Sequence, residues 1–201
     1  ILIAFDEVAT GFGRTGDLFR SKHYRINPDI VMMSKAINNG ILPLGAVAVS
    51  KKIVNRFRES KEMLFHLSTQ NANALACVAG KATMQKFFSE NNCLNNIKDL
   101  ADKILVVLNE LKRRDVQISN IRSCGMMFAI EMRDNSGNQL NEEAIIRTVR
   151  LLKKNGLLVE WSYIKDVSSC IVIMPMYIMN GDEINMMKDI FEKTFDKLLY
   201  C

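Results

Sequence analysis

Short apolar runs separated by turns constrain the first part of this chain more than any other feature. Residues 1–6 form an apolar run that ends in Asp6, and residues 30–33 and 46–49 form two more. Runs of this length, bounded by Gly, Pro or Asn, are typical of buried strands in an α/β sheet. We therefore predict an open, mostly parallel sheet, with a fully buried strand over residues 1–6.

Helical and strand patterns alternate through the rest of the chain. Apolar residues three and four positions apart predict a long amphipathic helix over residues 93–114. Further helices are predicted over residues 51–60, 71–88, 141–154 and 181–199, and strands over residues 116–118, 126–132, 157–160 and 170–174. These elements indicate a small α+β domain, so the chain is predicted to consist of two domains, residues 1–90 and 91–201.

Composition excludes several classes of protein. No apolar run approaches the roughly 18–20 residues needed to cross a bilayer, and no signal peptide opens the chain. The five cysteines are widely spread and form no zinc-ligand pattern, so we expect reduced thiols, no metal site and a cytoplasmic location. Because the chain starts at Ile1 inside a predicted strand, we expect it to be part of a longer protein.

The net charge of +5 raises the question of nucleic-acid binding. The basic residues occur as scattered pairs beside acids, such as Lys51–Lys52 and Arg113–Arg114, without an aromatic stripe on which bases could stack. Solvated helix faces explain this pattern better, and we expect no nucleic-acid partner.

An acid and a lysine follow the first two predicted strands. Asp6 ends the first strand and Lys35 lies just past the second, and ligands of open α/β sheets bind at such carboxyl ends. A partly desolvated lysine can act as a nucleophilic amine, and an acid can bind a protonated ring nitrogen. Pyridoxal phosphate needs this pair. Considered alone, however, the two residues are better explained as a loop cap and a surface lysine.

The surrounding sequence reverses that preference. The stretches FDEVATGFGRTG (residues 5–16) and PDIVMMSKAINNGILPLGAV (residues 28–47) resemble the signature of class III aminotransferases, which are pyridoxal-phosphate enzymes of fold type I. The resemblance implies that Asp6 pairs with the pyridine nitrogen, Val8 packs on the ring face and Lys35 forms the Schiff base. It also implies transamination between an amine or amino acid and a keto acid or ketone, on part of the large domain and the small C-terminal domain.

A third segment, STQNANALA (residues 68–76), resembles the part of the family in which a threonine precedes a helix of small residues. There the resemblance implies that Ser68, the Thr69 hydroxyl and the helix N-terminal amides bind the cofactor phosphate across a homodimer interface. A helix cap is the alternative role of Thr69. Ala74 stands where relatives carry proline.

Residues 120–126, 155–159 and 173–176 resemble the family's small domain. Residues 157–174 contain no arginine that could bind a substrate carboxylate; their charged residues are Glu160, Lys165 and Asp166. DEVATGFGRTG and MPMYI are most similar to the diaminopelargonic acid subgroup of biotin synthesis. The alternatives are a non-catalytic remnant or another class III enzyme: ω-amino acid:pyruvate aminotransferase, acetylornithine- or ornithine-type aminotransferase, or aminomutase.

Overall fold

The computed structural model describes residues 1–66, 68–89 and 93–198, and the chain divides into two compact units, Ile1–Asn96 and Ile97–Cys201. The elements of the first unit are β1 (Ala4–Asp6), α1 (Arg20–His23), β2 (Ile30–Met33), a 3₁₀ helix (Lys35–Asn38), β3 (Ala46–Val49), α2 (Lys51–Ser60) and α3 (Ala74–Ser89). The domain boundary predicted between residues 90 and 91 lies outside the described residues, and that assignment stays a prediction.

The sheet of the first unit has the order β1-β2-β3. β1 runs parallel to β2, with Asp6 paired with Met32, whereas β3 runs antiparallel to β2. The three predicted strands are present, but the prediction that residues 1–6 are fully buried is wrong: Leu2 and Ile3 are 53% and 43% exposed. An apolar run predicts a strand without specifying which neighbours cover its two faces.

The glycine-rich segment after β1 is part of the core rather than a surface loop. Gly11, Phe12, Gly13, Thr15 and Gly16 are all buried. The ring of Phe12 meets that of Phe19 edge-on at 5.4 Å between centroids, and Leu18 and Ile37 complete the buried cluster. A chain reversal packed this tightly holds the end of β1 in place.

Helix α3 packs against the 3₁₀ helix that follows β2. Ala76 and Gly80, one helical turn apart, are buried, and a Cβ at Gly80 would lie 2.9 Å from Leu44 Cδ2. The helix begins at Ala74 rather than at residue 71 as predicted, because Asn73 is the capping residue: its Oδ1 accepts from the N–H of Ala76 at 3.0 Å.

The second unit contains an antiparallel sheet of order β4-β5-β7-β6. Its elements are α4 (Cys93–Arg114, which begins in the first unit), β4 (Ile118–Cys124), β5 (Met127–Met132), α5 (Glu142–Lys154), β6 (Glu160–Ile164), β7 (Ser168–Ile173) and α6 (Gly181–Leu198). Phe128, Ile130 and Met132 alternate along β5 as its buried face. Helix α4 buries Ile104, Leu108 and Leu111, which confirms the predicted amphipathic helix.

Two predicted strands of this unit are wrong in position. The strand predicted at residues 157–160 is β6, which begins at Glu160, because the N–H of Leu157 bonds the carbonyl of Leu152 and still closes α5. The strand predicted at residues 116–118 is β4, which begins at Ile118 and is mostly polar. In both places the strand starts at the last residue of the predicted segment, and the residues before it lie in a connection.

Candidate active site

Asp6 and Lys35 lie at the same edge of the first sheet. Asp6 is the last residue of β1 and pairs with Met32 of the parallel strand β2, and Lys35 comes three positions after Met32. Because parallel neighbours end at one edge, the fold brings these two segments together as predicted. Both side chains are exposed, so a ligand can reach them.

The Asp6 side chain is oriented by its own loop. Its Oδ1 accepts a hydrogen bond from the N–H of Val8 at 3.0 Å. This short-range contact is an Asx-type turn, which fixes the carboxylate relative to the backbone. Val8 itself is half-buried, beside the carboxylate rather than remote from it. A single anchored oxygen leaves the other side of the carboxylate available to a donor such as a protonated ring nitrogen.

Lys35 occupies an unusual backbone conformation. Its φ is +44°, in the left-handed region where a residue with a Cβ is disfavoured. The preceding residue is tied down, since Ser34 Oγ donates to the Leu44 carbonyl at 2.8 Å. Asn38, at the other end of the 3₁₀ helix, is buried and donates from its side chain to the carbonyl of Leu42. Strained residues held by their surroundings are common at functional sites.

Ser68 and Thr69 lie apart from α3 in sequence. Both are exposed in the segment that leads to this helix, five or more residues before its first residue, Ala74. Ser68 Oγ accepts locally from the N–H of Gln70 at 3.2 Å. The capping role weighed for Thr69 belongs to Asn73. The phosphate-binding role of Ser68 and Thr69 stays a prediction.

The residue that sequence reasoning missed is Glu7. Its side chain is 0% exposed, although its neighbour Asp6 is exposed. Glu7 Oε1 accepts from the N–H of Ser21 at 2.8 Å, and Glu7 Oε2 accepts from the Thr10 hydroxyl at 2.5 Å. Strand alternation was the available signal, because consecutive residues point to opposite faces and only one of two adjacent acids can face the solvent.

Other features of the described residues bear on the remaining expectations. Among the described residues, none of Cys77, Cys93, Cys124 and Cys170 forms a disulfide bond. Within ranges 1–66, 68–89 and 93–198, no cluster of His, Cys, Asp or Glu has the arrangement of a metal site. No helix in the described part of the chain combines the length and apolarity required to span a membrane. Lys165 lies in the turn between β6 and β7 and Glu160 is exposed at the start of β6.

Comparison with known proteins decides the family. The model of the family described as aminotransferase class-III matches residues 1–195, which is nearly the whole chain. The chain belongs to the class III aminotransferases. A class III relative, the adenosylmethionine-8-amino-7-oxononanoate aminotransferase of Staphylococcus aureus, is 32% identical over 99% of this chain and 44% of its own length. The chain thus spans less than half of this curated relative.

Solved transaminase structures share the fold. A transaminase from the marine bacterium Virgibacillus superposes with a TM-score of 0.86 at 26% identity, covering 98% of this chain and 46% of that one. An amine transaminase from an uncultivated Pseudomonas species, solved with pyridoxal phosphate bound, gives a TM-score of 0.83 at 27% identity over 98% and 45% of the two chains. The predicted α/β class and fold type I are therefore confirmed.

Proposed function

We propose that the natural protein containing this chain is a pyridoxal-phosphate-dependent aminotransferase that moves an amino group between an amine or amino acid and a keto acid or ketone. The observation that carries the proposal is the placement of Asp6 at the carboxyl end of β1 and of Lys35 two residues past the carboxyl end of the parallel strand β2. Membership of the class III family and the cofactor-bound Pseudomonas transaminase support it.

The residues present fit this cofactor. Asp6 supplies an exposed carboxylate held at one oxygen by Val8, which suits a cationic ring nitrogen. Lys35 supplies an exposed primary amine on a backbone fixed by Ser34 and Asn38. Val8, half-buried beside Asp6, supplies an apolar surface for one face of an aromatic ring. Pyridoxal phosphate, when bound, supplies an electron sink for the substrate carbon.

The chain's own residues then have distinct tasks. Lys35 would hold the cofactor through its Nζ and, as a free amine, would carry a proton at Nζ to and from the substrate carbon. Asp6 would keep a ring nitrogen protonated by holding a fixed negative charge beside it.

The substrate, assembly and location are finer proposals. Similarity to the Staphylococcus aureus enzyme favours adenosylmethionine as amino donor and 8-amino-7-oxononanoate as acceptor, and hence a step in biotin synthesis. The absence of arginine from residues 157–174 leaves the substrate carboxylate group without a matched partner in that segment. We further propose a homodimer in which Ser68 and Thr69 contact the phosphate bound by the other subunit, working in the cytoplasm.

Reductive labelling tests the function directly. The natural full-length protein is incubated with pyridoxal phosphate, reduced with borohydride and digested, and the modified lysine is located by mass spectrometry. We expect stoichiometric label on Lys35, its loss in Lys35→Ala, and unchanged labelling in Lys51→Ala, which alters an exposed lysine at the start of α2. Label spread evenly over surface lysines, with no transaminase activity, would support the non-catalytic alternative.

Substrate pairs separate the subgroups. The same preparation is assayed with adenosylmethionine and 8-amino-7-oxononanoate, with N-acetylornithine and 2-oxoglutarate, and with an ω-amino acid and pyruvate. We expect the highest kcat/KM for the first pair. A higher value for either of the others would assign the protein to that subgroup instead.

A further inference from the structure

The carboxyl group of Glu7 is fully buried next to the exposed carboxylate of Asp6. Burying a carboxyl group is costly unless hydrogen bonds replace those lost from water. Glu7 has such bonds at both oxygens: Oε1 accepts from the Ser21 N–H at 2.8 Å and Oε2 from the Thr10 hydroxyl at 2.5 Å. The side chain thus joins the start of the glycine-rich segment to α1.

The backbone of Glu7 makes two further connections. Its N–H donates to the carbonyl of Met32 at 2.9 Å, which extends the β1–β2 pairing one residue beyond Asp6. Its carbonyl accepts from the N–H of Gly11 at 3.0 Å, and a Cβ at Gly11 would lie only 2.8 Å from that oxygen. Glu7 therefore connects the strand end three residues before Lys35 with the loop that carries Val8.

These connections surround Asp6. The carboxylate of Asp6 is oriented by the N–H of Val8, and Glu7 is the residue between them. A rotation of Glu7 would carry the peptide groups on both sides with it, and would move the Asp6 carboxylate relative to β2. Displacements of about 1 Å at a reacting group can lower a rate by about 10²-fold.

We propose that Glu7 is a positioning residue, whose buried carboxyl group clamps the Val8 turn and α1 onto the end of β2 and so fixes Asp6 relative to Lys35. The inference rests on the proposed function of those two residues. Glu7 is fully buried, so its side chain is not accessible to a ligand at the exposed edge. Its contribution is transmitted through the Val8 N–H and the Met32 carbonyl.

Three variants distinguish this positioning role from simple filling of space in the core. Glu7→Ala removes both acceptors. Glu7→Gln keeps the volume and can keep both hydrogen bonds. Its amide oxygen can accept from Ser21, and its N–H₂ can donate to the Thr10 hydroxyl, which accepts as well as donates. Thr10→Val keeps the shape and removes the hydroxyl that donates to Glu7 Oε2 and, at 3.4 Å, to the Asp6 carbonyl. Glu59→Ala, which changes an exposed acid of α2, is the matched control.

The decisive readout is hydrogen exchange at the Val8 amide, measured by mass spectrometry at single-residue resolution on the natural protein without added cofactor. This amide reports the Asp6 carboxylate directly, because it donates to it. We expect Glu7→Ala to accelerate exchange at Val8 and Ser21 by roughly tenfold or more, Thr10→Val to do so less, and Glu7→Gln and Glu59→Ala to stay near the wild type.

Kinetics provide the second readout. In the active protein, Glu7→Ala is expected to lower kcat by about 10²-fold with KM little changed, and Glu7→Gln to restore most of the rate. Unchanged Val8 exchange in Glu7→Ala, with faster exchange at Ser21 alone, would overturn the proposal, because Glu7 would then hold only α1. If Glu7→Ala does not fold, unchanged Val8 exchange in Thr10→Val overturns it equally. Failure of the wild type to label at Lys35 would instead refute the proposed function and leave the exchange result decisive for Glu7.

Discussion

Ile3 and Asp29 exchange two hydrogen bonds where β1 and β2 begin. The N–H of Ile3 donates to Asp29 Oδ2 at 3.0 Å, and the N–H of Asp29 donates to the Ile3 carbonyl at 2.8 Å. Ser50 adds a backbone bond to the Asp29 carbonyl at 2.8 Å. Asp29 therefore sets the register that places Asp6 opposite Met32.

The charge of Asp29 makes this junction sensitive to acid. The bond from Ile3 holds the pKa of Asp29 below its usual 3.8. A lowered folded-state pKa contributes stability above the unfolded-state pKa, and that stability is lost as pH falls through the folded value. We expect the Tm advantage of the wild type over Asp29→Asn to be constant from pH 7 to pH 5 and to shrink below about pH 4. A pH-independent difference in thermal melts would contradict this.

Asp6→Asn should separate charge from geometry at the candidate site. Asparagine can still accept from the Val8 N–H, so the turn is preserved, but it cannot keep a ring nitrogen protonated. Loss of this electrostatic partner should lower kcat by about 10²–10³-fold while pyridoxal phosphate still labels Lys35. Asp99→Asn, at an exposed position of α4, is the control. Wild-type turnover in Asp6→Asn would mean that the carboxylate is structural.

Subunit mixing tests whether the site is shared. Lys35→Ala and Thr69→Val chains, each expected to be inactive, are unfolded together and refolded as a mixture. If Thr69 serves the neighbouring subunit, each mixed dimer has one intact site, and a statistical mixture should recover about a quarter of the wild-type activity. No recovery, with dimers confirmed by sedimentation, would show that Lys35 and Thr69 act within one chain.

Asp115, at the end of α4, should reduce the stability of the second unit near neutral pH. Burial raises the pKa of Asp115, and the nearby charge of Asp196 raises it further. Because the folded-state pKa is raised, the charged carboxylate destabilises the native state at neutral pH. This penalty is lost as the pH falls and the group becomes protonated. We expect Asp115→Asn, which still accepts from the Gln117 N–H, to raise Tm at pH 7, and the gain to disappear as pH falls toward 4. Asp102→Asn, on the exposed face of α4, should do neither.

Phe191 should be a principal contributor to the core of the second unit. Its side chain, on α6, is 0% exposed, and the centroid of its ring lies 5.5 Å from that of Phe195. Phe191→Ala should lower the free energy of unfolding by about 3–5 kcal/mol, and the exposed Lys193→Ala by less than about 0.5 kcal/mol. Urea titration followed by the fluorescence of Trp161, the chain's single tryptophan, measures both. A loss below about 1 kcal/mol for Phe191→Ala would mean that the site repacks.

Sequence reasoning succeeded where a short apolar pattern is enough to identify a strand and its end. Asp6 and Lys35 follow apolar strands, and the parallel pairing of those strands is enough to bring them to one edge. Strand alternation indicates that only one of Asp6 and Glu7 is exposed but does not identify which, because the burial of Glu7 depends on Ser21, fourteen positions away, whose N–H donates to its carboxyl group. Likewise the apolar run at 157–159 predicted a strand. In the structure the Leu157 N–H donates to the Leu152 carbonyl, so this segment closes the end of α5.

The left-handed backbone at Lys35 is disfavoured for lysine, although the proposed function requires a lysine there. Glycine would adopt a φ of +44° freely, whereas a residue with a side chain gives up about 1–2 kcal/mol there. Lys35→Gly should therefore be more stable than the wild type while losing the amine, and Lys35→Ala should show no such gain. On the proposed function, the reactive amine offsets this cost, and a chain relieved of that task would gain stability by exchanging Lys35 for glycine.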